Sequence, residues 1–513
     1  MDWLLIIVLL PLLAAAAVGF VPGSQRRAIR GITIGASGLS LLCALIAFLS
    51  FDVGGGLQFE TKVVWVESLG LHFHLAADGI NIGIILMGAI VAFAASCCAD
   101  DITHRVKEFH ILLNLMIGGI LGAFASMDLF FFYFFHELAL VPTFIMIGVW
   151  GRGANRNYAT YKITLYLSLG ALLALIGLIG VYVQTGAESF SIPDLIATVQ
   201  ESPIDESAQQ WIFPLLMFGF GILASLWPFH TWAPLGYGAA PTATAMLHAG
   251  VLKKFGLYGI IRVAIPMAPA GAQSWLGVLA WLALANLLYC GLVAVRQKDL
   301  NQLIGNSSVA HMGFIFLGIA SLTTIGLTGA VMVMFAHGLL AALAFGLSGY
   351  LYTQTRTLDM EKVGGLLKGM PFWGTAMIMA LLAGCGLPGL ANFAGEITVF
   401  FGAWSIPAFE TGQSLTHPLQ EYSLQFRVIT IIAIWSALVI GAVYMLRAIR
   451  NLLHGEPDAD APKAEDITHW KKLPYALLIG VLLLFGCYPK LLTEKINTAS
   501  KSIQQAVQSD YNR

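Results

Sequence analysis

The sequence predicts an all-α integral membrane fold of about fourteen transmembrane helices. Three observations carry that prediction. Of the 513 residues, 58% are hydrophobic and only 11% are charged, whereas a soluble domain carries about a quarter charged residues. Apolar stretches of roughly 20 residues, the length that crosses a bilayer core about 30 Å thick, recur along the whole chain. Basic residues cluster in alternate loops between those stretches, as membrane topology requires.

Taken in order, the stretches begin near Trp3, Ala28, Gly79, Phe109, Leu129, Thr160, Trp211, Thr242, Trp275, Gln302, Thr324, Phe372, Val428 and Pro474. The first of them, within MDWLLIIVLLPLLAAAAVGF, has no basic segment before it and other spans follow, so it reads as a membrane helix that is kept and not as a cleaved signal. Two longer connections, Gly54 to Ala77 and Ala187 to Gln210, are candidates for ordered caps. The basic loops carry Arg26, Arg27 and Arg30; Arg105 and Lys107; Arg152 and Arg156; Arg296 and Lys298; Arg356, Lys362 and Lys368; and Arg447, Arg450, Lys463, Lys471 and Lys472. The positive-inside rule directs these loops to the cytoplasm and both termini outward. After Lys490, KINTASKSIQQAVQ reads as an amphipathic helix on the outer surface or against a neighbouring chain.

Composition also excludes functions. Lys plus Arg (27) and Asp plus Glu (28) nearly cancel, which leaves no basic field for nucleic acid. The cysteines, Cys43, Cys97, Cys98, Cys290, Cys385 and Cys487, make no CxxC or Cys/His spacing, so no metal site and no iron-sulfur centre is expected. No GxGxxG or P-loop is present, and no stretch is long and polar enough for a soluble nucleotide-binding domain.

Two spans carry helix breakers at matching places in the two halves: SLWPFHTWAPLGYGAAPT, Ser225 to Thr242, and GCGLPGLANFAGE, Gly384 to Glu396. Proline removes a backbone hydrogen bond, and in lipid the freed groups need internal partners. Paired breaks in corresponding halves are the mark of an inverted-repeat transporter with ion sites near mid-membrane. The plainer alternative is that Pro and Gly kink these helices for packing.

Ionisable residues inside spans are few. A charge at the bilayer centre costs roughly 2.5 to 3.5 kcal/mol on insertion scales, so each has to be paired, hydrated or neutral. Glu137 lies in LFFFYFFHELALVPTFIMIGVWG, more than a turn from either end. Lys253 and Lys254 lie in HAGVLKKFGLYGIIR. Neighbours on a helix point about 100° apart, so one of the two is expected to face a central channel. His311 and His337 occupy successive spans, with Ser307 and Ser308 one turn before His311 as candidate hydrogen-bond partners. Glu396 follows the second break. An imidazole that donates through one nitrogen and accepts through the other suits proton relay. Each residue taken alone also reads as a satisfied structural polar group, and Lys253 as a side chain that snorkels to an interface. As a set, Glu137, Lys254, His311, His337 and Glu396 read as a transverse proton path, with Lys253 auxiliary. His230 and His248, beside a break and a helix start, read as structural or gating. Asp128, at a span boundary, is a candidate helix cap.

These residues fall in motifs that resemble the antiporter-type membrane subunits of the proton-pumping NADH:quinone oxidoreductase, complex I. The motifs are ADGIN, FHELALVPTFIMIGVWG, PFHTW, AAPTATAMLHAGVLKK with YGIIR, DLNQLIGNSSVAHMGF and GLPGLANFAGEITVF, and the resemblance runs from about Leu75 to Tyr488. It implies two inverted five-helix repeats, each with a broken helix, over residues 109–270 and 271–450, preceded by helices in 1–108 and followed by a last helix and tail in 451–513. It also implies a hydrated line of Glu137, Lys254, His311, His337 and Glu396. The glutamate in FAGE is similar to the chain M branch, whereas the L and N branches usually have lysine there.

One departure stands out: the family's lysine five residues before the Pro of PFHTW is Leu223 here. The family implies no cofactor in this chain, with flavin, iron-sulfur clusters and quinone belonging to partner subunits. The implied partners are L-like and N-like neighbours in a membrane arm and a peripheral redox arm, in the inner (cytoplasmic) membrane of a bacterium. Two other readings stay open: a subunit of a multisubunit cation/proton antiporter, and a mainly structural membrane scaffold, which Leu223 makes plausible.

Overall fold

The computed structural model describes residues 2–406, 417–455 and 464–511; Lys463 lies outside them. The chain is helical nearly throughout, because in lipid every backbone N–H and C=O has to be satisfied within its own segment. The first helices are α1 (Trp3–Phe20), α2 (Arg26–Ser50), α3 (Asn81–Cys97), α4 (Val106–Ala125), α5 (Leu129–Trp150) and α6 (Arg156–Thr185). A short α7 (Ile192–Glu201) precedes α8 (Glu206–Leu223), α9 (Trp232–Ala239) and α10 (Thr242–Leu247). From Thr242 to Met267 the chain alternates α and π turns: α10, a π turn His248–Leu252, α11 (Lys254–Gly259), a π turn Ile260–Ala264 and α12 (Ile265–Met267).

The remainder runs through α13 (Pro269–Ala285), a π turn Asn286–Cys290, α14 (Gly291–Arg296), α15 (Leu300–Ala320), α16 (Thr324–Thr355), α17 (Leu366–Gly369), α18 (Pro371–Gly384) and α19 (Ala391–Trp404). It ends with α20 (His417–Trp435), a π turn Ser436–Gly441, α21 (Ala442–Leu453), α22 (Leu473–Cys487) and α23 (Lys490–Tyr511).

Among the described residues, eleven helices are long and apolar enough to cross a membrane. The three further spans that the sequence predicts, starting near Trp211, Thr242 and Phe372, are not among these eleven. They fall in α8 and the break after it, in the mixed α and π run, and in α18 with α19, which are 14 residues each. The fold also contains a two-stranded antiparallel hairpin that helix counting leaves out: β1 (Gln58–Val66) pairs with β2 (Leu71–Ala77), with Lys62 opposite His74 and Val63 opposite Phe73.

The two ends of the bundle differ as the charge pattern expects. At one end Arg30 donates to the carbonyls of Asp100 and Ile102, both at 3.0 Å. There Arg152 pairs with Asp101 at 2.7 Å and Lys471 with Asp100 at 2.6 Å, so three separate basic loops meet one acidic turn. The other end carries the hairpin, α7 and α23. Asp128 caps α5 there, accepting from the N–H groups of Phe130 (2.9 Å) and Phe131 (3.2 Å) and from His72 N–H (3.2 Å). The tail is helical as expected, and it docks on its own chain: Lys495 donates to the Phe51 carbonyl at 3.2 Å and lies over the rings of Phe48 and Phe51.

Burial sets the centre. The membrane windows of α15 and α16 are wholly buried, while α1, α2 and α6 bury less than half of theirs and show leucines and isoleucines outward. Helices at the centre meet through small residues. An added methyl on Gly402 would come within 2.3 Å of Gly326, so α19 lies directly on the start of α16. The backbone released after α8 is clipped by the buried side chain of Asn286, which accepts from Trp227 N–H at 2.7 Å and donates to the carbonyls of Ser225 and Val309 at 3.0 and 3.1 Å. That is the internal partner a broken helix in lipid requires.

Candidate functional site

Between the broken segments lies a set of buried ionisable side chains. Lys254 and Lys253 are both fully buried. Lys254 donates to His337 Nδ1 at 2.8 Å and to the Ala249 carbonyl at 2.7 Å. The rings of His337 and His311 are 5.4 Å apart, centroid to centroid. His311 Nε2 lies 3.6 Å from Glu396 Oε1, and its Nδ1 donates to the Ser307 carbonyl at 2.7 Å. The ring also faces the Gly384 carbonyl at the second break. The structure therefore brings four of the five expected residues into one file from α11 across α16 and α15 to α19.

The end of the file is shaped by the second break. Gly386, at φ +67°, sits so close that an added Cβ would be 2.6 Å from Glu396 Oε2. A cavity of about 20 Å³ lies beside the carboxylate, bordered by His311, Cys385, Ser436 and Tyr444, large enough for about one water. The Tyr444 hydroxyl is 3.2 Å from Ser307 Oγ. Both side-chain polar atoms of Asn392 are buried without a hydrogen-bond partner among the described residues, and Asn392 stands one turn before Glu396 on α19.

The lysine pair departs from expectation. Both face the interior, where the 100° argument allowed one. Lys253 donates to Ser308 Oγ at 2.7 Å and to the Ser308 carbonyl at 3.2 Å, with its ammonium 5.4 Å from the centre of the Tyr237 ring. The physical reason is position. The segment Thr242–Met267 is buried on every side, and the π turn ending at Leu252 re-phases the helix just before the pair. Lys253 thus does not snorkel, and Ser308 bonds to it and not to His311.

Glu137 stands apart from the file. Its side chain is 34% exposed, and no hydrogen bond or ion pair joins it to Lys254 among the described residues. Its nearest basic atom is His136 Nδ1, 3.5 Å from Oε1. Phe255 fills the space on that side of α5, stacking on Phe132 at 4.4 Å and on the His136 ring at 4.1 Å. Leu223 is buried among apolar neighbours and brings no charge.

His248 Nδ1 has no hydrogen-bond partner among the described residues, and its ring lies against Trp232 and Tyr237 at 5.5 and 5.4 Å. His230 packs edge-on against Tyr289 at 5.5 Å. Sequence reasoning missed His136, Asn286, Asn392 and Tyr444. Only His136 left a signal, as the neighbour of a glutamate inside a span. Among the described residues no group of His, Cys, Asp and Glu is arranged to hold a metal ion.

Fold and site together define a many-spanning helical membrane protein with its ionisable groups gathered in the interior. Residues 126–410 match the family model described as NADH:quinone oxidoreductase/Mrp antiporter, TM, and the chain belongs to that family. It is 31% identical over 516 residues to "NAD(P)H-quinone oxidoreductase chain 4 1" of Synechococcus sp. (strain JA-3-3Ab), covering 99% of this chain and 94% of that one. It is likewise 31% identical to "NADH-quinone oxidoreductase subunit M" of Rhodobacter capsulatus over 525 residues, 99% and 98% of the two chains. Among solved structures it resembles a chain of respiratory complex I from Thermus thermophilus, at TM-score 0.86 and 28% identity over 99% of this chain and 100% of that one. The fold is also that of a chain of the Mrp complex from Dietzia sp. DQ12-45-1b, at TM-score 0.83 and 20% identity over 99% of each.

Proposed function

We propose that this chain is the M-type, proton-translocating membrane subunit of a respiratory NADH:quinone oxidoreductase, and that it moves protons along Lys254, His337, His311 and Glu396. The observation that carries the reading is the file itself: four buried ionisable groups from four helix segments, with separations of 2.8 Å and 3.6 Å at its ends. Such groups are expensive in a membrane unless they work. Glu137 is the entry group, about a third exposed where the others are enclosed. Redox energy comes from quinone reduction on other chains, which hold the flavin, iron-sulfur clusters and quinone. The neighbours are L-like and N-like membrane subunits and a peripheral redox arm in a bacterial inner membrane. Residues 109–270 and 271–450 form two inverted five-helix repeats, supported by one broken segment in each, with 1–108 before them and 451–513 after.

The test uses the whole complex in proteoliposomes, measuring protons moved per quinone reduced on addition of NADH. The variants E137Q and K254M should assemble and move fewer protons. Wild-type yield from both would overturn the path. A second reading, a structural subunit with an incomplete first half, is favoured by Leu223 and by the separation of Glu137 from the file. It requires wild-type yield from E137Q alone.

A further inference from the structure

Glu137 poses a problem that the central file does not answer. Its Oε1 is buried and has no hydrogen-bond partner among the described residues. The side chain is 34% exposed, and the hydroxyl of Tyr133, one turn earlier on α5, interacts with its carboxylate. Leu223 supplies no charge. The basic atom beside it, His136 Nδ1, is also buried and also without a hydrogen-bond partner. Its side chain is 2% exposed and its ring is fixed flat on Phe255, 19° between planes. Two complementary atoms 3.5 Å apart, both unpaired, are a donor and acceptor poised for each other.

The same pattern continues inward. The π turn His248–Leu252 packs against α5, the helix that carries His136. His248 Nδ1 and the Tyr237 hydroxyl are again buried polar atoms without hydrogen-bond partners. Their rings are 5.4 Å apart, and the Lys253 ammonium lies over Tyr237. Three such unpaired atoms, on His136, His248 and Tyr237, lie between the Glu137 carboxyl and the Lys253 ammonium.

We propose that His136 shares a proton with Glu137 and opens a branch that runs through His248 and Tyr237 to Lys253. The transfer is simple to balance. The proton on Nδ1 of a protonated His136 moves to Oε1 of Glu137, the N–H bond breaks as the O–H bond forms, and an ion pair becomes a neutral pair. The reverse step restores both charges. Histidine is the side chain suited to this, since its charge changes near neutral pH. Lys253 then hands over to Ser308 on α15, next to the Ser307 that holds His311. This inference rests on the relay reading of Glu137 above.

The experiment compares H136F, which keeps a flat ring on Phe255 but no nitrogen, with E137Q and the unchanged chain in the intact complex. Proton yield per quinone is measured with the infrared carboxyl band that E137Q removes. H136F should lose the same share of proton yield as E137Q, and the Glu137 band should stay protonated through turnover. A wild-type yield with a switching band in H136F, while E137Q is impaired, would overturn the branch and leave the main path standing. A wild-type yield in E137Q would overturn the relay role of Glu137 and the branch with it. If H136F fails to assemble, H136Q is read by the same band: a permanently protonated Glu137 supports the pair, and a switching one refutes it.

Discussion

Glu396 shows how a single backbone position can decide a single carboxyl. Gly386 adopts φ +67° in the turn between α18 and α19 and leaves room for Oε2. An alanine there meets both a left-handed backbone penalty, about 1 to 2 kcal/mol, and a contact at 2.6 Å with the carboxylate. G386A should therefore lower the thermal stability of the complex and turn the Glu396 side chain away from His311. Unfolding temperature and proton yield should fall together, and a variant that kept both would show that the break does not position Glu396. The sequence marked Glu396 because it is an acid inside an apolar span. It carried no sign of Tyr444 or Asn392, whose approach to the site comes from helices distant in sequence.

At the scale of elements, the hairpin and the broken spans separate what periodicity can tell from what it cannot. The loop Gly54 to Ala77 was legible as an ordered cap but not as two strands, since β1 has no clean alternation and its register shifts at two places. His74 on β2 accepts burial with Glu60 Oε1 at 2.9 Å. Burial holds its imidazole below the ordinary value of 6.5, against the pull of Glu60 in the other direction. Because the folded value is lower than the unfolded one, folding favours the neutral ring. The hairpin keeps full stability above pH 6.5 and loses it as the pH falls below that. The protection factors of the amides in β1 and β2 should fall between pH 7.5 and 5.5, and H74Q should remove the dependence. An unchanged profile in H74Q would place the sensitivity elsewhere. The lysine pair makes the same point about helices: an ideal 3.6-residue helix assigns one of Lys253 and Lys254 to the interior, and the π turn with full burial assigns both.

Over the whole molecule, distant segments are tied at each end of the bundle. Asp78, just before α3, pairs with Arg262 in the π turn Ile260–Ala264 at 2.6 Å, with both side chains nearly enclosed. Removing one partner of a buried pair costs about 3 to 5 kcal/mol, because the other charge is stranded. R262Q should lower the assembly yield and unfolding temperature of the complex by a margin that the double variant D78N/R262Q recovers in part. Full additivity of the two substitutions would show that the pair is not coupled.

The sequence by itself determined the membrane class, the division into basic and hairpin ends, the family and the list of ionisable candidates. Each of these follows from local chemistry: apolar length, loop charge, and the cost of placing Glu137, Lys254, His311, His337 or Glu396 in lipid. Tertiary structure alone decided which of them touch. Lys254 meets His337 83 residues away, and Lys253 meets Ser308 55 residues away, while Glu137 lies 3.5 Å from its own neighbour His136. Contacts of that range depend on how separate helices pack, and no periodicity within one span encodes the phase of another.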